Sequence, residues 1–235
     1  MVSSLKLLLK GPMQSWGDSS RYRVRGTGST PSKSAIVGLL AAAQGRRRTD
    51  PVEDLTRLKF AVRIDQSGTL LHDYQTAQDW QRNPGSDATL ITRTYLTDAV
   101  FLVGIEAPDR ALLESLAENL RNPIFPLYLG RRSCPAPVDL VQGIVDLGAA
   151  EALMAENNWF ATPAHKRERS QIVRLPIYRD GEIGEKGAAR RDVPLSFDPK
   201  HRKYGWREVI YAGDKEIENP TGTNRDPFFE VVISS

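Results

Sequence analysis

Over residues 2–10 the chain alternates as an extended segment does. Leu5, Leu7 and Leu9 fall on one face, and Lys6, Leu8 and Lys10 on the other. Gly11-Pro12 ends this strand. The period then changes. Thr30 suits a helix N-cap and Pro31 the first helical position; Ile36, Val37, Leu39, Leu40 and Ala43 make an apolar stripe, and Gly45 supplies the stop. Gly38, inside this helix, costs about 1 kcal/mol relative to Ala and suits close approach of another backbone. Alternation returns over residues 58–65, with Phe60, Val62 and Ile64 on one side, which completes a β-α-β unit. Residues 66–89 are polar and contain Gly68, Pro84 and Gly85, as a long excursion from the core would. Residues 90–95 and 99–105 read as strands. Residues 108–120 read as an amphipathic helix with Leu112, Leu113, Leu116 and Leu120 on one face, ended by Asn122-Pro123.

With further strand candidates at 125–129 and 138–145, the order matches a ferredoxin-like (RRM-like) domain over residues 1–147, an antiparallel sheet with two helices on one face. Residues 149–157 suit a short helix, and 172–178, 208–211 and 228–233 are strand-like. The expectation for 148–235 is therefore a smaller β-rich region, and the fold class is α+β.

Composition narrows the chemistry. The 235 residues are 40% hydrophobic and 26% charged, which suits a globular chain. One cysteine, Cys134, excludes an internal disulfide framework and a multi-cysteine zinc site, and three scattered histidines (His72, His165, His201) suggest no metal site. No metal or other cofactor is expected. The longest apolar run, 35–43, is too short to cross a bilayer, and Lys6 and Lys10 interrupt any signal-peptide core, so no membrane role and a reducing, cytoplasmic setting are expected.

The net charge of +3 conceals an asymmetry. Residues 1–48 hold nine Lys or Arg and one acid (+8), residues 165–207 hold twelve against six (+6), and the remainder is −11. A single run of cations is ordinarily solvated surface. Two blocks, each with aromatic residues (Trp16, Tyr22; Tyr178, Tyr204, Trp206), favour a nucleic-acid face. Arg21, Arg23 and Arg25 alternate, so in extended backbone they form a cationic comb, with a solvated loop as the alternative.

Residues 28–34 are not a phosphate-binding P-loop, because Ser32 replaces the second glycine and Pro31 lies inside the loop. Lys33 and Ser34 still fall in the first turn of a helix, where N–H groups favour an anion; a capped helix with a surface lysine is the plainer reading. Gly130-Arg131-Arg132-Ser133-Cys134-Pro135 is built like an anion-binding turn, or like an ordinary turn whose arginines meet nearby acids. Cys134 has no evident partner base and reads as a small buried residue. His201, with Lys203 and Tyr204, could equip a metal-independent ribonuclease, or simply hold a backbone in a basic loop.

Three stretches belong together: Gly11-Pro12-Met13-Gln14-Ser15-Trp16-Gly17, the helix opening Pro31-Ser32-Lys33-Ser34 through Gly45, and Tyr128-Leu129-Gly130-Arg131-Arg132-Ser133-Cys134-Pro135. In combination and order they resemble the Cas-five family, in the CasD form found in type I-E CRISPR Cascade complexes. The resemblance implies a ferredoxin-like core with a protruding β-hairpin thumb, placed at about residues 73–95. It implies a non-catalytic role: binding the 5′ handle of crRNA and capping the backbone filament beside the CasC backbone subunit and the large subunit CasA, with target DNA met through the complex. In type I-C relatives the corresponding subunit cuts pre-crRNA, which keeps an endoribonuclease as the alternative. Carried over, RNA-contact candidates are Gln14, Ser15, Trp16, Lys33, Ser34, Arg131 and Arg132, with Trp16 alternatively packing under its loop. The basic segments add Arg21, Arg23, Arg25, His201 and Tyr204, and the thumb adds Tyr74, Trp80, Arg82 and Arg93.

Overall fold

The leucine alternation becomes β1 (Ser3–Lys10), with Leu5, Leu7 and Leu9 fully buried. In this computed structural model the described residues are 2–17, 24–78, 80–81, 83–85 and 87–223. The short β2 (Met13–Gln14) and β3 (Val24–Arg25) precede α1 (Lys33–Ala43) and α2 (Glu53–Thr56). Next come β4 (Lys59–Gln66), β5 (Thr69–Ala77), β6 (Thr89–Thr97), β7 (Val100–Ala107) and α3 (Arg110–Arg121). The chain continues through β8 (Val141–Val145), α4 (Ala149–Ala155), α5 (Pro163–Arg167), β9 (Ile172–Asp180), β10 (Ala188–Ser196) and β11 (Lys203–Glu218).

Seven strands form one sheet in the order β10-β11-β9-β4-β7-β1-β8, and every pairing in it is antiparallel. α1 and α3 pack on one face: Ile36, Val37, Leu40, Leu113 and Leu116 share a core with Leu5, Leu7, Leu9, Phe60 and Val62. α4 covers the other face, where Ala149 and Leu153 meet Ala61, Leu102 and Ile177. The central strands are therefore buried on both sides, which explains why β7 is nearly continuous apolar sequence. The strands after residue 148 extend the same sheet, because β9 pairs with β4.

On the α4 side the fully buried Arg63 grips Asp65 through Nε (2.8 Å) and Nη2 (3.0 Å). It also donates to the carbonyls of Leu153, Glu156 and Asn158. A buried charge is tolerated only when paired and hydrogen-bonded this completely, and the arrangement ties β4 to the end of α4.

β5 and β6 form a long hairpin, in register from Thr69↔Thr97 to Ala77↔Thr89, with β2 and β3 flanking β6. Leu70, Leu71, Tyr74 and Leu90 on it are exposed, as is Trp80 at the tip.

Several expectations change. α1 begins at Lys33 with Ser32 as N-cap, its Oγ accepting from Ala35 N (3.3 Å), so Thr30 and Pro31 lie outside the helix. Gly45 does stop it, at φ +76°, with Arg46 N returning to Ala41 O (2.9 Å). Residues 125–129 form no strand; only an isolated bridge joins Tyr128 and Pro135. β5, β10 and α5 were not read from the sequence, and β11 runs well beyond 208–211. The expected strand at 228–233 lies outside the described residues. Among the described residues no helix is long and apolar enough to cross a membrane.

Candidate nucleic-acid interface

The three glycine-punctuated segments meet. Ser15 N donates to Leu129 O (3.1 Å), and Gly28 N to Trp16 O (2.8 Å). Gly130 stands at φ +90°, where a Cβ would lie 1.7 Å from Ser15 O, so the two segments approach this closely only with glycine there. Ile124 N and Phe125 N donate to the terminal carbonyls of α1 at Ala43 and Ala42 (3.0 and 3.2 Å), which lays the next segment along the helix.

Between them runs a groove of about 550 Å³. The buried Ser15, Ser32 and Ser34 and the helical Gly38 contribute to its floor; Phe125, Tyr128 and Gly130 also line it, as do Phe197 and Arg202 from the turn joining β10 and β11 and Tyr204 from β11. Arg46, Arg47, Arg48 and Arg132 complete it, and no described carboxylate lines it. Arg46 pairs with Asp54 (2.5 Å), whereas the side chains of Arg47, Arg48, Arg132 and Arg202 make no ion pair with a described residue. Arginines beside aromatic rings and hydroxyls suit a phosphate backbone with stackable bases.

The candidates from sequence separate on this geometry. Gln14 is buried; its Nε2 donates to Leu9 O and Ala99 O (3.2 and 2.7 Å) and its Oε1 accepts from Trp16 Nε1 (3.2 Å). Trp16 is 2% exposed. In this conformation neither side chain faces solvent, so both support the groove from beneath. Ser15 is sunk in the floor, its Oγ donating to Thr94 O (3.3 Å). Lys33 differs most from expectation. Its Nζ meets Asp180 (2.7 Å) and its backbone N–H meets Asp192 (2.9 Å), so the helix N-terminus already holds the protein's own carboxylate. Arg207 braces the same two acids. Ser34 Oγ lies 3.2 Å from Ser32 Oγ on the groove floor.

Arg132 faces the groove, while Arg131 turns away, over the Tyr95 ring (4.7 Å). Arg25 is exposed on β3, and Arg93 is half-buried on β6. Tyr74 and Trp80 are exposed on the hairpin. His201 is exposed and does not line the groove; Tyr204 does. Lys203 and Tyr204 are successive residues of β11 and so point to opposite faces, which separates the expected Lys-His-Tyr trio. Arg21, Arg23 and Arg82 lie outside the described residues. No group of three or more His, Cys, Asp or Glu among the described residues is placed to hold a metal. Sequence reasoning missed Arg202, Phe125, Tyr128 and Phe197 as groove residues, and counted Arg47 and Arg48 only as charge; the triplet Arg46-Arg47-Arg48 after a helix stop was the available signal.

Known proteins resemble this chain in sequence and in fold. In Escherichia coli (strain K12), the "CRISPR system Cascade subunit CasD" is 38% identical over 160 residues, covering 61% of this chain and 71% of that protein. A chain of a solved "CRISPR RNA-guided surveillance complex" superposes with a TM-score of 0.75 at 29% identity, over 97% of this chain and 96% of that one. A solved "Cas protein" matches with a TM-score of 0.64 at 34% identity, over 90% and 95%. The family model described as CRISPR-associated protein (Cas_Cas5) matches residues 4–210, and the chain belongs to this family.

Proposed function

We propose that this chain is a non-catalytic, cytoplasmic subunit of a Cascade-type complex that holds the 5′ handle of crRNA and caps the backbone filament. Its partners are the crRNA, a CasC-type backbone subunit and a CasA-type large subunit, with target DNA met through the assembly. In this reading β4-β7-β1-β8 with α1 and α3 is the ferredoxin-like core, β5–β6 is the thumb, and residues 148–235 form the second, β-rich region built onto that sheet.

The carrying observation is the groove in which the three motif segments meet, lined by arginines and aromatic rings with no described carboxylate. Binding is favoured over cleavage, because Lys203 and Tyr204 alternate across β11 and, of the three, Tyr204 alone lines the groove. Replacing Arg47, Arg48, Arg132 and Arg202 together with Gln tests the groove. The variant should bind handle-bearing RNA with a salt slope shallower by about 3, near 0.7 per lost phosphate contact on a single strand. It should also leave the assembled complex depleted of crRNA. Full RNA occupancy in that variant would remove the groove from the site. Specific cutting of repeat RNA by the purified chain in EDTA, abolished in His201→Ala, would establish the endoribonuclease instead.

A further inference from the structure

At the root of the β5–β6 hairpin two guanidinium groups close on one phenol. Arg93 and Tyr95 stand two residues apart on β6 and share a face. Tyr95 is buried, its hydroxyl 3.3 Å from Ser133 Oγ, and Arg131 stacks over its ring. Arg131 Nη2 donates to the carbonyls of Arg25 (2.8 Å) and Gly26 (3.3 Å), which ties the glycine-arginine turn to β3. Arg131 Nη1 and Arg93 Nε are both buried, and neither has a hydrogen-bond partner among the described residues. Buried donors are nearly always paired, so two in one cluster mark a place for an acceptor.

The surroundings say which kind. Arg25 and Asp73 are the cross-strand neighbours of Arg93. The Asp73 carboxylate accepts from Gln75 Nε2 (2.5 Å) and makes no ion pair with a described residue. Register thus sets Arg93 between a second arginine and a single acid. Burial pushes the Tyr95 hydroxyl up, but Ser133, Arg131 and Arg93 outweigh it and hold it below its ordinary value, as a field that favours negative charge would. A bound water would pair the donors without answering that charge. A phosphate does both, because its oxygens match the planar fork of a guanidinium.

We propose that Arg93, Arg131, Tyr95 and Ser133 form a seat for one phosphodiester of the bound RNA, separate from the arginine-lined groove. The guanidinium N–H groups would hold the non-bridging oxygens, and the two hydroxyls would fix their orientation. Arg131 and Arg132 then serve opposite sides of one turn, and the RNA passes from the groove over that turn to the root of the hairpin. The seat rests on the RNA-binding reading above.

The test titrates the full-length chain with a fluorescent single-stranded RNA of repeat-derived sequence at several salt concentrations. Arg93→Gln should weaken binding about fivefold and flatten the salt slope by about 0.7, the loss of one phosphate contact. Arg93→Lys should restore only part, since it returns charge without the fork. A scan with single methylphosphonate substitutions, which needs no protein variant, should find one linkage whose neutralisation weakens the wild-type chain but adds nothing in Arg93→Gln. Wild-type affinity and slope in Arg93→Gln, with both reduced in Arg132→Gln, would overturn the seat and leave the groove standing. A scan with no such linkage would also overturn the seat. If the unmodified chain does not bind the RNA, both readings fall.

Discussion

A methyl group at position 130 would sit 1.7 Å from the Ser15 carbonyl oxygen, on backbone already at φ +90°. Neither the clash nor the strain can be relieved without parting the two segments that bound the groove. Gly130→Ala should therefore cost at least about 2 kcal/mol and weaken RNA binding with it. Gly38 lines the same groove under a milder constraint, since its added Cβ would lie 3.7 Å from Phe197 Cζ, an ordinary contact. Gly38→Ala should raise helix stability by up to about 1 kcal/mol while placing a methyl in the groove. Thermal denaturation and RNA titration on both variants check this: lower stability at 130, and unchanged or higher stability with weaker binding at 38. Equal stabilities would refute the account. The two glycines look alike in sequence, and only the neighbour across the gap tells them apart. The same holds for Gln14, Trp16 and Lys33. Their motifs were legible, but whether a polar side chain in a motif meets RNA or props up the loop depends on burial and partners, such as Asp180 for Lys33.

Among the elements, α3 was readable because it buries one stripe and so writes its period into the sequence, and β1 because Lys6 and Lys10 mark an alternation although both of its faces are largely buried. β5 was not: both of its faces are largely exposed, unlike the root of β6, and no apolar alternation is needed to build it. β11 was read only in part because a bulge between Tyr211 and Gly213, with Gly213 at φ +107°, breaks its alternation. The groove was hidden for a different reason: it is assembled from Ser15, Gly38, Arg132 and Arg202, which sequence spacing cannot relate. The exposed hairpin leads to a prediction of its own. Because Tyr74 and Leu90 contribute little to the core, replacing residues 75–91 with a two-residue Asn-Gly turn should leave the melting temperature within a few degrees. Assembly with RNA and partner subunits should drop sharply, as read by co-purification. A large fall in melting temperature would show that the distal hairpin belongs to the core, and undiminished assembly would show that it is no docking element.

Across the whole molecule, much of the basic charge that first suggested nucleic acid is engaged inside the fold. Lys6 meets Glu156, Lys33 and Arg207 share Asp180, and Arg179 meets Glu185. The cations left without a described ion pair at the groove are few and clustered, which suits a near-neutral subunit with one RNA face. The internal pairs also set a pH dependence. Burial pushes Glu156 up, but Lys6 and the Asn158 N–H outweigh it and hold the carboxyl below its ordinary range. Hydrogen bonding to Arg46 lowers Asp54, and Arg179 brings Glu185 down to about 2, although solvent screens the worth of that exposed pair. Carboxylates depressed in the folded state contribute stability that is complete above their unfolded values, near about 4, and is lost as pH falls through the folded ones. His165 behaves differently in detail: burial and Arg169 hold it below its ordinary value, so the unfolded chain takes up its proton first and stability starts to fall below about pH 6.5. Denaturation midpoints should therefore hold level above neutrality, decline gently below about pH 6.5 and steeply below about pH 4.5. His165→Gln should remove the gentle limb. Lys6→Gln should lower stability at neutral pH and shorten the steep limb, because burial is then opposed only by the Asn158 N–H and Arg63 and the folded value of Glu156 rises. A midpoint constant down to about pH 3.5, or an acid limb unchanged in Lys6→Gln, would mean that these pairs do not couple protonation to the fold.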